Sequence, residues 1–281
     1  MRHFILEEPH SRAAVWSRHV ALFAIVLAGI GVGVMRFGAV ETAAGIAVFA
    51  AAILAACVAV LLAGAGAAVI WRTGRKGVGH VVVALGLSVA LLAWPGWLAT
   101  QAVMLPVIND ISTDVNDPPQ FPTSERALAA RAGIDHGSAM AGALQQQDAY
   151  PDIYPIVIDL DAAEVFALVV RAVDALGWRI VEREPPTEAL SSHQARAEPR
   201  RGAPAATQAG AAPARPGRIY AIDRTLIMGF PDDIAIRVRP LDGQTRIDLR
   251  SASRYGRHDF GVNANRIRRF GAELQRQLDA R

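Results

Sequence analysis

The residue types in this sequence that could do chemistry cluster between Asp223 and Arg266, most densely where a strand ending near Arg254 passes through a polar loop into a basic helix. Ser251, Ser253, His258 and Asp259 are of the residue types that make a nucleophilic triad. Such a triad needs a serine exposed at a turn, a histidine within hydrogen-bond reach and donors for an oxyanion. No Gly-x-Ser-x-Gly elbow accompanies them, and strand alternation puts Ser251 and Ser253 on the same side as Ile247 and Leu249, towards a core. Asp232 and Asp233, with His258 and Asp259, carry metal-ligand chemistry, and His136 and His193 add two imidazoles. Asp232-Asp233 after Phe230-Pro231 reads as a turn, however, and Asp259 as a helix cap or an arginine partner, so neither a metal nor another cofactor is expected.

Anion recognition is the third chemistry. Arg250, Arg254, Arg257 and Arg266 surround a glycine-bracketed loop that leads into a helix N-terminus at Asn263, where free backbone N–H groups favour negative charge. A small anionic ligand, a carboxylate or phosphate head group, suits that arrangement. The competing expectation is an internal arginine–carboxylate network, with Asp223, Asp248 and Asp259 as partners, that fixes the turn from strand to helix.

Those residues must be positioned by a small α+β domain. Ile153–Leu160 reads as a strand, Asp161 with Glu164 three residues later as a capping-box-like helix start, and Val165, Leu168, Val169, Ala172, Val173 and Leu176 as one apolar helix face ended by Gly177. A strand returns at 178–182, and further strands are expected at 219–224 and 226–230. Ile234, Ile236 and Val238 alternate with Ala235, Arg237 and Arg239, the period of a half-buried strand. Asp242-Gly243 is a hairpin signal. With those two as the loop, Leu241 faces Gln244, Val238 faces Ile247, Ile236 faces Leu249 and Arg237 faces Asp248, pairing apolar with apolar and positive with negative. A last helix from about Asn263 buries Ile267, Phe270, Leu274 and Leu278 and leaves Arg266, Arg269 and Arg276 more exposed. The order is β-α-β, an antiparallel meander and a closing helix, with two helices on one sheet face. The soluble domain spans 151–281, with a disordered Pro/Ala/Arg-rich insertion at 184–217.

Ahead of the domain the chain is of a different kind. Val20–Met35, Thr42–Trp71 and Val81–Ile108 are uncharged runs of 16, 30 and 28 residues, against the roughly 20 that cross a bilayer. Three transmembrane helices are expected, at about 20–37, 42–71 and 80–105, the first being short, with the lipid bilayer as their partner. Residues 1–19 form a cytoplasmic N terminus, because Arg2, Arg12, Arg18, Arg72, Arg75 and Lys76 flank one side of the spans while the other offers Arg36 beside Glu41. Three crossings then put the C-terminal domain in the periplasm of a bacterial inner membrane. Glycines 29, 31, 33, 64 and 66 allow close helix packing. Residues 106–150, rich in proline, aspartate and glutamine, read as an extended connector. Asp110, Asp114 and Asp117 within it have calcium-ligand chemistry but lack the glycine and distal glutamate of the helix-loop-helix pattern, so turns are expected there.

The sequence carries a formal charge of +3, but from Asn109 onward 22 arginines meet 23 acidic residues. That balance, and a basic helix facing away from the cytoplasm, exclude a general nucleic-acid binder. The one cysteine, Cys57, rules out an intramolecular disulfide.

Ile108-Asn-Asp-Ile-Ser-Thr-Asp followed by Asp-Pro-Pro-Gln-Phe, Asp223-Arg-Thr, Gly229-Phe-Pro-Asp-Asp-Ile-Ala-Ile-Arg237, Ile247-Asp-Leu-Arg-Ser-Ala-Ser-Arg254 and Asp259-Phe-Gly-Val-Asn-Ala-Asn-Arg-Ile267 together resemble the bacterial family catalogued as domain of unknown function 1499. The resemblance runs from Pro106 to Leu278 apart from the insertion, and it implies no established activity, cofactor or catalytic residue. The expectation is a non-catalytic inner-membrane protein with a periplasmic binding or interaction domain for an anionic envelope ligand. Its rivals are a hydrolase-type periplasmic enzyme on an anionic envelope substrate, carried by Asp232, Asp233, His258 and Asp259, and a subunit that meets an inner-membrane or envelope protein partner through its helices.

Overall fold

The computed structural model describes residues 9–37, 42–136, 142–187 and 215–280. The chain divides into two compact units, Met1–Met104 with Leu226–Gly229, and Leu105–Thr225 with Phe230–Arg281.

In the first unit, α1 (Arg12–Phe37), α2 (Thr42–Thr73) and α3 (Val78–Met104) are each long and apolar enough to cross a membrane. Helix α1 starts at Arg12 rather than near Val20, so the short first span becomes a helix of 26 residues, about 39 Å at 1.5 Å per residue. Helix α3 continues through Pro95. The packed faces are built from small side chains: Ala14, Ala21, Ala24 and Ala28 of α1 and Ala52, Ala56, Ala59 and Ala63 of α2 recur at helical spacing and are buried, while Phe23, Leu54 and Leu61 point outward. A Cβ on Gly66 would lie 2.7 Å from the Ala14 nitrogen and one on Gly31 3.1 Å from the Phe49 nitrogen, so these two glycines set the backbone approach. Gly29, Gly33 and Gly64 have nothing within 4 Å and take no part in it.

The second unit is a six-stranded antiparallel sheet in the order β1-β6-β5-β4-β3, with β2 also paired to β6. Its strands are β1 (Asp110–Ser112), β2 (Ile156–Ile158), β3 (Arg179–Glu184), β4 (Gly217–Arg224), β5 (Pro231–Leu241) and β6 (Gln244–Ser253); its helices are α4 (Glu125–Ala130), α5 (Ala143–Ala149), α6 (Ala162–Ala175) and α7 (Val262–Asp279). The β5–β6 register pairs Leu241 with Gln244, Val238 with Ile247, Ile236 with Leu249 and Arg237 with Asp248, as the turn signal predicts. Ile219, Ala221, Ile234, Ile236, Val238, Ile247 and Leu249 form one sheet face, and Val165, Leu168, Val169 and Val173 of α6 with Ile267, Phe270 and Leu274 of α7 cover it. Burying an aliphatic side chain of this size contributes on the order of 1.5–3 kcal/mol, so this layer is the main source of the domain's stability. The other face packs Tyr220, Val181 and Ile222 against Ala127 of α4.

Four expectations change. Within the stretch 106–150, read as an extended connector, described residues form β1, α4 and α5: β1 pairs with β6, and Ser124 caps α4 by accepting from the Ala127 N–H at 3.1 Å. Leu226–Phe230 is a turn, not a strand, closed by the Thr225 N–H donating to the Phe230 carbonyl and the Phe230 N–H donating to Thr225 Oγ1, both at 2.9 Å. Pro231-Asp-Asp233 begins β5 instead of turning; proline is tolerated there as the first residue of a strand. Asp161 is the N-cap residue of α6, but its side chain makes no cap hydrogen bond. Most of the expected insertion, residues 188–214, lies outside the described residues, as does His193; the stretch flanking it is closed by a bridge between Thr187 and Arg215.

Candidate functional site

Strand alternation sorts the polar residues onto the two faces of the sheet. On the helix-covered face, Asp223 of β4, Asp232 of β5 and Ser251 of β6 converge beneath the first turns of α7 and meet Arg266. Arg266 is fully buried, against the expectation of exposure, because its guanidinium is shared out completely. Nε donates to Asp223 at 2.8 Å, Nη2 to Asp232 at 2.6 Å, and Nη1 to Ser251 Oγ at 3.0 Å and Asn263 Oδ1 at 2.7 Å. Asn263 Nδ2 in turn donates to Ser253 Oγ and to the Asn109 carbonyl. Burial pushes the Asp232 carboxyl up, against the pull of Arg266.

The start of α7 is answered from within. Asp259 accepts from the Gly261 N–H through Oδ1 and from the Asn263 N–H through Oδ2, both at 2.9 Å. The carboxylate thus occupies the place that the sequence offered to an anionic ligand. His258 accepts the Phe260 N–H through Nδ1 and stacks on the Phe260 ring at 4.6 Å. Phe260 holds a left-handed backbone, φ 54°, which carries the chain from the strand end into the helix.

Two clusters mark the end of β6 on the opposite face. Asp233, fully buried, receives Arg254 through Nε and Nη2, the Tyr220 hydroxyl at 2.6 Å and His136 Nε2 at 2.7 Å. Burial alone would push its carboxyl up; the hydrogen bonds from His136, Arg254 and Tyr220 outweigh burial and hold it below the ordinary carboxylate range. Burial and the Asp233 carboxylate push the Tyr220 phenol up. Arg250 is buried as well, with its Nε and Nη2 on Asp110 and its guanidinium 4.8 Å from the centre of the Phe121 ring. Arg257 alone of the four loop arginines is exposed; it lies beside Pro106, Val107, Gly142 and Gln145.

Further along the same face, Asp248 is buried beneath three arginines. Arg237 and Arg239 reach it at 2.9 Å and Arg246 at 2.7 Å. Asp114 pairs with Arg246, and Asp117 with Arg237 at 3.0 Å and Arg239 at 3.3 Å. Backbone N–H groups of Asp117 and Asn116 and the Arg246 guanidinium hold the Asp114 carboxyl low in spite of its partial burial. Beside this cluster a cleft of about 770 Å³ opens between the 113–117 loop, α5 with the chain that follows it, and Arg239 and Arg246.

The structure therefore brings Asp223, Asp232, Ser251, Ser253, Asn263 and Arg266 into one group, Asp233 and Arg254 into a second, and Arg237 with Asp248 into a third; it leaves His258 and Asp259 apart from Asp232 and Asp233. Sequence reading missed Asp110, His136 and Tyr220 as partners, and the cleft. A residue-type signal existed for Asp110, Asp114 and Asp117, but the arginines they answer lie more than a hundred residues away, at |i−j| of 140 for Asp110 and Arg250 and 132 for Asp114 and Arg246. No curated protein and no solved structure matches the chain. A model of the family described as Protein of unknown function (DUF1499) matches residues 110–274. That match opens at the first residue of β1 and closes on Leu274 in the core of α7, so it takes in the whole sheet and the arginine clusters described above. The chain belongs to the DUF1499 family.

Proposed function

We propose that this protein is a membrane-anchored, non-catalytic binding module of the bacterial cell envelope, with residues 105–281 on the periplasmic side of the inner membrane. One observation carries the binding reading over the hydrolase: the serine and the carboxylates that would do chemistry are already engaged. Ser251 Oγ donates to Asn263 and accepts from Arg266, Asp232 and Asp233 are buried under arginines, and Asp259 is taken up by two backbone N–H groups. A nucleophile needs an open position beside its base, and the open cleft is lined by other residues. An anionic ligand likewise has little to gain from Arg250, Arg254 or Arg266, whose carboxylate partners are in place. Arg257 is the member of the set with an exposed guanidinium.

The periplasmic placement rests on the distribution of positive residues, with Arg12, Arg18, Arg72, Arg75 and Lys76 at one end of the three spans and Arg36 at the other. Reporters fused after Arg281 test it. A reporter that works only after export is expected to be active there, and a cytoplasm-only reporter silent; the reverse pattern would overturn the placement.

A further inference from the structure

We infer that the cleft beside the Asp248 cluster is a binding site for a neutral, polyhydroxylated ligand, a sugar or short glycan segment, and this rests on the proposed binding-module reading. The first ground is charge. Arg237, Arg239 and Arg246 meet Asp114, Asp117 and Asp248, three positive groups against three negative, each within 3.3 Å of an opposite charge. An anion entering this site finds the guanidinium charges already matched, and a cation finds the carboxylates matched.

The second ground is what the cluster leaves over. Arg246 gives Nε and Nη2 to Asp248 and Asp114, so its Nη1 has no partner among the described residues. Asn116 and Gln147 line the cleft, are exposed and have side-chain amides without a partner among the described residues. Asp117, also exposed, engages the two arginines through Oδ2. Around one opening the fold therefore holds donors and acceptors side by side, with the Arg246 guanidinium and the Asp117 carboxylate held in place by their ion pairs. A sugar hydroxyl donates one hydrogen bond and accepts others, so a mixed rim of guanidinium, amide and carboxylate satisfies it without importing charge.

The third ground is shape and lining. A volume of about 770 Å³ is in the range of small-molecule sites. Its lining also includes Pro151, Ile153 and Pro155, an apolar stretch able to take the C–H face of a pyranose ring. The rim is also pinned from below: Gln146 of α5 accepts the Ser112 N–H at 3.0 Å and donates to the Ser112 carbonyl at 2.6 Å, fixing α5 against β1.

The test is equilibrium binding of the full-length chain in lipid nanodiscs to a panel of neutral oligosaccharides, β-linked N-acetylglucosamine and glucose tetramers among them, with inorganic phosphate and acetate as anionic comparators. At least one neutral oligosaccharide is expected to bind, and Asn116→Ala and Gln147→Ala to weaken it each by about fivefold to tenfold with the melting temperature unchanged. Binding of the anions alone, no binding at all, or oligosaccharide binding untouched by both variants would overturn the inference. Anion binding at this cleft, with an export-dependent reporter active after Arg281, would keep the envelope binding module and discard the sugar.

Discussion

The two units of this protein reach dense packing by opposite means. In the helical unit the contacts are made by Ala14, Ala21, Ala56, Ala59 and Ala63, side chains too small to be held by anything except close approach of the backbones. In the domain two of the largest fully buried side chains are Arg250 and Arg266, and each is held in one orientation by named carboxylates. Among apolar helices there is little hydrophobic gain to collect, so shape must suffice. In a small domain surrounded by water, apolar layers supply stability but accept many arrangements, and buried ion pairs with full hydrogen bonding admit few. The comparison predicts that the domain fails through lost charge partners and the helical unit through added volume.

The largest effect is expected at Arg266. Arg266→Ala leaves Asp223, Asp232 and Ser251 without their shared donor, and removing one side of a buried pair costs roughly 3–5 kcal/mol. Urea unfolding of the full chain should show that loss, whereas Arg269→Ala, a surface arginine 3.8 Å from Asp223, should stay within about 0.5 kcal/mol. Equal losses would mean that the buried network is no more than a solvated ion pair.

Next is the helical unit. Gly66→Ala places a methyl group 2.7 Å from the Ala14 nitrogen, while Gly29→Ala meets nothing within 4 Å. The first should destabilise the detergent-solubilised chain by about 1–3 kcal/mol; the second should be neutral or raise stability by up to about 1 kcal/mol, the helix-propensity difference. Matching melting curves for the two variants would break the claim that close approach specifies these helices.

The smallest effect separates the two buried aspartates of β5. The folded-state pKa of Asp233 is depressed, so its contribution is fully present above the ordinary carboxylate pKa and is lost as the pH falls through the folded value. Asp232 is raised, so its charged form is disfavoured by folding and acidification relieves that cost. Asp233→Asn should therefore lower stability by about 1–2 kcal/mol at neutral pH and flatten the acid limb of the stability profile, and Asp232→Asn should leave that limb in place. A limb unchanged in Asp233→Asn would show that other carboxylates govern it.

What could be read in advance followed the range of the interactions. The β5–β6 hairpin was legible to the residue because Asp242-Gly243 fixes the loop and the side chains then pair locally. The apolar face of α6 and the end at Gly177 were equally local. Leu226-Ile-Met228 misled because three apolar residues in a row have the composition of a strand, while the Thr225 and Phe230 bonds that close a turn have no pattern in the sequence. Asp232 and Asp233 misled for a physical reason: a carboxylate is placed in a buried strand only when a distant arginine permits it. The same distance hid β1, whose Asp-Ile-Ser resembles a loop until Arg250 is set beside it.

The pairing of Asp110–Ser112 with Arg250–Ala252 has a consequence for biogenesis. The first strand to leave the ribosome after the three long helices must wait for the sixth before it can find its place, and the Arg250–Asp110 pair closes a loop of 140 residues. Contacts of such separation form late and slowly, so each newly made copy passes through an interval in which three hydrophobic segments are complete and the sheet that follows them is not. During that interval the strands that await β6, namely β1, β2 and β5, are a template for neighbouring chains. Synthesis that stops before Arg250 leaves β1 without the strand and the arginine it pairs with, so the sheet is completed only once β6 has been made.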